Sequence, residues 1–179
     1  GSYEGACVVE PTPGLYTNAT LVLDFKSLYP SIAIAWNLCP SSFVEPENHV
    51  EVRRLCGVHE REIKGRTSMF VTDHPGILPV VLQRLLDMRN AVKKEMKKTA
   101  GMEKNILDAR QLAIKVCANS VYGAMGSCFE KSIGCRDVSA MITFMGRWSL
   151  FHTMKGVKES YGLDTIYGDT DSVFINSGT

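Results

Sequence analysis

The chain has 179 residues, 45% of them hydrophobic, which is material for one domain with a substantial core. Its 20 Lys and Arg nearly balance its 19 Asp and Glu, and a net charge of +1 excludes a global positive field, so any contact with nucleic acid has to come from local clusters of cations. Six cysteines without a Cys-x-x-Cys pair imply no disulfide framework and suit reduced thiols in an intracellular protein, and neither a leader-like opening nor an apolar run of membrane-spanning length is read in the sequence.

Residues 14 to 25, GLYTNATLVLDF, open with turn formers and run into Leu21-Val22-Leu23 before ending on Asp24. This pattern predicts a buried strand that delivers a carboxylate at its end. Pro30 interrupts the extended pattern in the segment that follows, so a turn and a short helix are expected there. Segment 40 to 76 is polar and punctuated by Pro and Gly, which predicts loops and a short hairpin around Thr67 to Thr72. Cys56 and His59 lie in it as a lone Cys-x-x-His; without a second ligand pair they read as a loop thiol and a surface histidine.

From 77 to 98 the residues Leu78, Val81, Leu82, Leu85, Val92 and Met96 recur at helical spacing, with Pro79 tolerated in the first turn. A second helix is expected from 102 to 122 after Gly101, and a turn this tight makes the two antiparallel with an apolar seam. A third helix, 137 to 161, opens with Asp137, closes before Gly162, and carries Met141, Met145, Trp148 and Phe151 as a core stripe. The chain then reads strand, tight turn, strand: 165 to 167, Gly168-Asp169-Thr170-Asp171, and 172 to 175.

Four places carry candidate chemistry. Asp169 and Asp171, one residue apart at a turn, can project to the same side and would repel each other without a cation, although a solvated acidic turn explains them equally well taken alone. Asp24 closes an apolar strand, and a desolvated carboxylate needs a partner. If that strand lies beside the hairpin, the three acids form a hard-oxygen site suited to Mg²⁺, and two such ions serve in-line phosphoryl displacement. Lys115, Asn119 and Tyr122 stand at i, i+4 and i+7 with Gln111 a turn earlier, placing a cation, an amide and a ring on one helical face, while Ile106, Ala113, Val116 and Cys117 are expected on the other. Arg89 and Lys93 point the same way on the preceding helix; Arg89 suits a phosphate, whereas Lys93 belongs to a run with Lys94, Lys97 and Lys98 of the kind that coats a solvent face.

In this order DFKSLYPS at 24 to 31, K-x-x-x-N-S-x-Y-G at 115 to 123 and YGDTDS at 167 to 172 resemble motifs A, B and C of the family B DNA polymerases, of the cellular delta-like or large-DNA-virus type. YEGACVVEP at 3 to 11 and the stretch from 77 to 89 resemble neighbouring family segments, so the match covers nearly the whole chain. GAMGSCFEKSIG at 123 to 134 departs from the cellular replicative enzymes and leans towards a large DNA virus.

The resemblance implies an α+β fold: a partial right-hand palm, an antiparallel sheet with packed helices, plus a two-helix antiparallel fingers hairpin. Residues 1 to 76 and 125 to 179 would be palm, and 77 to 124 fingers. It implies dNTP addition to a primer 3′-hydroxyl, with Asp24, Asp169 and Asp171 catalytic. Asp24, Asp171 and the backbone carbonyl of Phe25 would hold two Mg²⁺, or Mn²⁺ in their place. Ser27 and Leu28 (through backbone N–H), Arg89, Lys93, Lys115 and Asn119 would meet the triphosphate, Tyr29 the sugar, and Tyr122 with Gly123, Tyr167 and Gly168 the base pair and DNA. It further implies primer-template DNA as partner, thumb and exonuclease domains of a longer parent chain, a processivity factor, no membrane, and work in the nucleus or at a viral replication site. A fragment of this length is expected to be inactive alone. The alternative is a relic that binds nucleic acid without catalysis; the presence of all three acids and the Lys115 face argues against it.

Overall fold

The structure is a computed structural model that describes residues 4–126 and 134–178. Strands β1 (Val8–Val9), β2 (Thr20–Asp24), β6 (Asp164–Asp169) and β7 (Ser172–Asn176) form one sheet in the order β1-β6-β7-β2, antiparallel throughout. A second antiparallel sheet, β3-β5-β4, is built from β3 (Phe43–Val44), β4 (Val58–Ile63) and β5 (Arg66–Val71). Five α-helices complete the fold: α1 (Leu28–Ala35), α2 (His49–Leu55), α3 (Ile77–Met96), α4 (Gly101–Gly126) and α5 (Arg136–Tyr161). The α+β expectation with antiparallel sheets therefore holds.

The main core forms where α1, α3, α4 and α5 meet, with Leu28, Ile32, Leu82, Ala118, Met125, Met141 and Met145 buried together. The helical period drives this assembly. On α4, Leu107, Ile114, Ala118 and Met125 recur at three, four or seven residues and are its buried positions. Early residues of α3 meet late residues of α4, as Leu78 and Leu82 do Ala118 and Met125, while Val92 packs with Leu107 at the other end. The pair is antiparallel along an apolar seam, as its short joint predicts. Helix α5 lies over β6 and β7, where Leu150 and Val157 cover Val173 and Ile175.

Several expectations need correction. Strand β2 is not buried, because it is an edge strand: Leu21, Val22 and Leu23 are 45–54% exposed and Asp24 is exposed with them, so Asp24 is not the desolvated carboxylate expected at a buried strand end. Segment 40 to 76 contains α2, and its hairpin spans β4 and β5 around a Lys64-Gly65 turn in which both residues have positive φ, 52° and 76°. Two such residues match the right-handed twist of paired strands. On α4, Ile106, Val116 and Cys117 are exposed instead of forming an apolar back, since the seam runs through Leu107 and Ile114. On α5, Met141 and Met145 are core, but Trp148 and Phe151 are about half exposed; Trp148 stacks flat on His152 at 4.7 Å. Asp137 lies inside the first turn of α5, after the N-cap Cys135, and accepts from Ser68 Oγ at 2.8 Å while pairing with Arg66 at 3.1 Å. That tie fixes the second sheet to α5. Part of the 123 to 134 stretch falls at 127–133, outside the described residues.

Candidate active site

Register brings the acids together. Strand β2 runs antiparallel to β7 with Asp24 opposite Ser172, so the last residue of β2 stands beside the turn that precedes β7. The backbone closes the arrangement: Phe25 N–H donates to the Asp171 carbonyl at 2.7 Å. The hairpin turn is the two residues Thr170 and Asp171, and Thr170 has φ 47°. A β-branched residue at positive φ is strained, and strain of this kind gathers at functional sites. The Thr170 amide is anchored to the Cys7 carbonyl at 3.0 Å.

After Phe25 the chain turns through Ser27, also left-handed at φ 52°, into α1. Here the sequence does what Pro30 foretold: a proline in the first helical turn forfeits no intrahelical bond. The inward side chain of Leu28, 7% exposed, anchors this turn in the main core. The N-terminal end of α1, with the positive end of its peptide dipoles, is thereby presented beside the acids.

One cavity of about 500 Å³ collects these elements. Asp24, Phe25, Ser27, Leu28 and Tyr29 line it from β2 and α1, Arg89 and Lys93 from α3, Lys115, Asn119 and Tyr122 from α4, and Asp171 from the hairpin. Tyr29 and Tyr122 form a tilted ring pair with centroids 4.7 Å apart. Arg89 is held by its neighbours: Nε donates to Gln111 Oε1 at 3.1 Å and an Nη to Ser27 Oγ at 3.4 Å, while Gln111 donates its amide to Asp108 at 2.9 Å.

Burial pushes the Asp171 carboxyl above the ordinary carboxylate range, and the nearby negative charge of Asp24 pushes it further. Asp169 adds a smaller push and Lys115 opposes it. The four expected residues absent from the lining are Asp169, Tyr167, Gly168 and Gly123. Asp169 instead accepts from Thr170 Oγ1 at 2.9 Å and from Tyr167 Oη at 3.5 Å. Gly168 is buried under β1, with Val9 3.4 Å from where its Cβ would stand, and Tyr167 packs on Phe174. Among the described residues no group of three or more His, Cys, Asp or Glu is arranged to hold a metal ion; Asp24 and Asp171 are a pair. His59, read as a surface histidine, is half-buried on β4, with Nδ1 3.2 Å from the Trp36 carbonyl and its ring against that of Trp36.

Three lining residues escaped the sequence reading: Lys26, Asn90 and Thr170. Lys26 and Thr170 adjoin named motif residues, and Asn90 follows Arg89, so proximity in sequence was the available signal. Asn37 escaped too. It lies outside the cavity, and its buried amide donates to the Val71 and His74 carbonyls at 2.7 and 2.8 Å and accepts from Gly76 N–H at 2.7 Å, locking the start of α3 to the end of α1. No helix among the described residues is long and apolar enough to cross a membrane.

Two carboxylates, one guanidinium and three ammonium groups, those of Lys26, Lys93 and Lys115, thus line one cleft, a mix of charges that suits a polyanion accompanied by a cation. The family model for DNA polymerase family B matches residues 1–179. The chain belongs to DNA polymerase family B. It is 40% identical over 190 residues to the DNA polymerase delta catalytic subunit of Arabidopsis thaliana, covering 99% of this chain and 17% of that protein. It is 39% identical over 178 residues to the DNA polymerase alpha catalytic subunit of the same plant, covering 99% of this chain and 10% of that one. Among solved structures, the family B DNA polymerase from the hyperthermophilic archaeon Pyrobaculum calidifontis superimposes with a TM-score of 0.69 at 34% identity, covering 99% of this chain and 22% of that chain.

Proposed function

We propose that this chain is the palm and fingers segment of a DNA-templated DNA polymerase and carries its dNTP-addition site, with 1–76 and 125–179 as palm and 77–124 as fingers. The observation that carries the reading is that Asp24 and Asp171 line the same cavity as Arg89, Lys93, Lys115 and Asn119. A metal-bound triphosphate would engage both the acids and the cations of this lining. The substrates are primer-template DNA and a dNTP, and the parent protein contributes thumb and exonuclease domains, a surface for a processivity factor, and an intracellular place of work at replicating DNA.

The residues fit a divalent cation. Burial raises the Asp171 carboxyl most and the negative charge of Asp24 raises it further, and a cation held by the two acids would offset both effects. Asp24, Asp171 and the Phe25 carbonyl would hold Mg²⁺ or Mn²⁺, with Asp169 supporting the turn. Bound there, the metal supplies charge for the attacking and leaving oxygens of an in-line displacement. The protein does the remainder. Arg89, pre-set by Gln111 and Ser27, grips the phosphates with a planar fork, and Lys115 and Lys93 add point charges. The amides at the start of α1 meet the triphosphate. Tyr29 lies under the sugar and Tyr122 beside the nascent base pair. The primer 3′-oxygen bonds to the α-phosphorus as the bond to pyrophosphate breaks.

The test is primer extension with Mg²⁺ by the full-length enzyme, wild type against Asp171→Asn. The expected result is a fall in rate of about 10²- to 10³-fold or more, the range for loss of one transition-state charge partner. Equal extension by the two would overturn the assignment. A dNTP-dependent rise in the melting temperature of the segment itself checks the nucleotide pocket separately.

A further inference from the structure

Gly146 lies midway along α5 and is buried. Glycine is disfavoured against alanine inside a helix, so the position asks for a packing reason. A Cβ built there would stand 3.1 Å from Cε1 of Tyr29, 3.7 Å from Leu28 Cδ2 and 3.9 Å from Ile32 Cδ1. Only the first distance is tighter than ordinary contact. Gly156, on the same helix, meets nothing within 4 Å. The close approach is thus specific to one ring, and that ring lines the cleft.

We propose that Gly146 is a positioning residue: its missing side chain sets how deep the Tyr29 ring sits, and so how much room the cleft leaves for the sugar of the incoming nucleotide. The inference rests on the reading of the cavity as a dNTP pocket with Tyr29 under the sugar. Tyr29 is confined on two sides. Its ring meets Tyr122 at 4.7 Å on the cleft wall, and away from the cleft it lines a small apolar void with Ala33, Leu82, Ala118 and Ile142. A methyl at 146 forces the ring to give by a few tenths of an ångström, and of the two spaces that Tyr29 lines, the cleft of about 500 Å³ offers far more room than the void of about 10 Å³ on its apolar side, so the ring moves towards the cleft. A displacement that small leaves the fold intact and acts on the fit of a sugar, where one added oxygen decides acceptance.

The experiment compares kcat/KM for dNTP and rNTP in the full-length enzyme carrying Gly146→Ala, Tyr29→Ala, or both. Gly146→Ala is expected to change the dNTP-to-rNTP ratio by about threefold or more, towards stronger rejection of rNTP and mainly through KM. With Tyr29→Ala present the same substitution should change the ratio by less than about 1.5-fold, because there is no ring to push. An unchanged ratio in a stable Gly146→Ala enzyme overturns the proposal, and so does an equal change with the ring absent. If Gly146→Ala melts early, restoration of its melting temperature by Tyr29→Ala supports the contact, and failure to restore it refutes the contact. A Tyr29→Ala enzyme whose own ratio equals that of wild type identifies a different failure, that of the sugar-binding reading beneath the proposal.

Discussion

Asn37 carries an unusual share of the geometry that presents Arg89. Its side chain is 9% exposed, takes part in three hydrogen bonds of 2.7 to 2.8 Å to the backbone of Val71, His74 and Gly76, and sits at φ 53°, in the left-handed region. Gly76 is the N-cap of α3, so the amide decides where that helix starts. Asn37→Ala removes all three bonds at about 1 kcal/mol each, and an alanine in left-handed backbone adds about 1 more, for a loss of about 4 kcal/mol. Asn37→Gly relieves the backbone and isolates the hydrogen bonds, with an expected loss of about 3 kcal/mol. Asn37→Asp keeps the acceptor for Gly76 but sets a carboxylate against two carbonyls, and should be no better than alanine. Urea unfolding gives the losses as shifts in midpoint at constant slope. The KM for dNTP should rise in the same order, because α3 carries Arg89 and Lys93. An Asn37→Ala protein within about 1 kcal/mol of wild type would refute the reasoning, since a locking amide cannot be that dispensable.

Asp171 should oppose folding of the metal-free chain. Its carboxyl titrates above the ordinary 3.8 through burial and the charge of Asp24, so its contribution to stability is complete below that value and is lost as pH rises through the raised one. In chelator, Asp171→Asn is therefore expected to melt above wild type at about pH 7 and to converge with it near about pH 4, with Mg²⁺ reversing the order at neutral pH; melting curves across that range would show it, and a wild type at least as stable as the variant in chelator at neutral pH would contradict it. On the cationic wall, Arg89→Ala and Lys115→Ala are each expected to raise the dNTP KM by about 10- to 100-fold, the loss of a charged hydrogen bond. Lys97→Ala, an exposed member of the same lysine run outside the cavity, should leave it unchanged.

What was legible in the sequence follows from the range of the forces involved. Helices α3 and α4 were legible because a 3.6-residue period repeats over many turns and short connections force antiparallel neighbours. Asp24 was picked out on the premise of a buried strand, whereas it is exposed with the rest of β2; what sets it at the site is the register that places it opposite Ser172. The exposure of Leu21 to Leu23 was not legible, because apolar residues announce a wish to be covered and not the layer that covers them. Asn37 was invisible for the converse reason: its partners are 34 to 39 residues away, and an asparagine before Leu-Cys-Pro looks like any turn former.

The acidic hairpin marks the boundary between the two kinds of information. Residues i and i+2 share a face while both belong to one strand, and on that rule Asp169 and Asp171 would point together. The register places Asp169 as the last residue of β6, opposite Ser172, and Asp171 as the second residue of the turn. The rule therefore lapses between them: Asp169 turns to Thr170 and Tyr167, while Asp171 lines the cavity with Asp24. The partner of Asp171 is thus the acid that is distant in sequence, brought to it by the pairing of β2 with β7. Composition supplied both carboxylates, but only strand register determines which two confront each other.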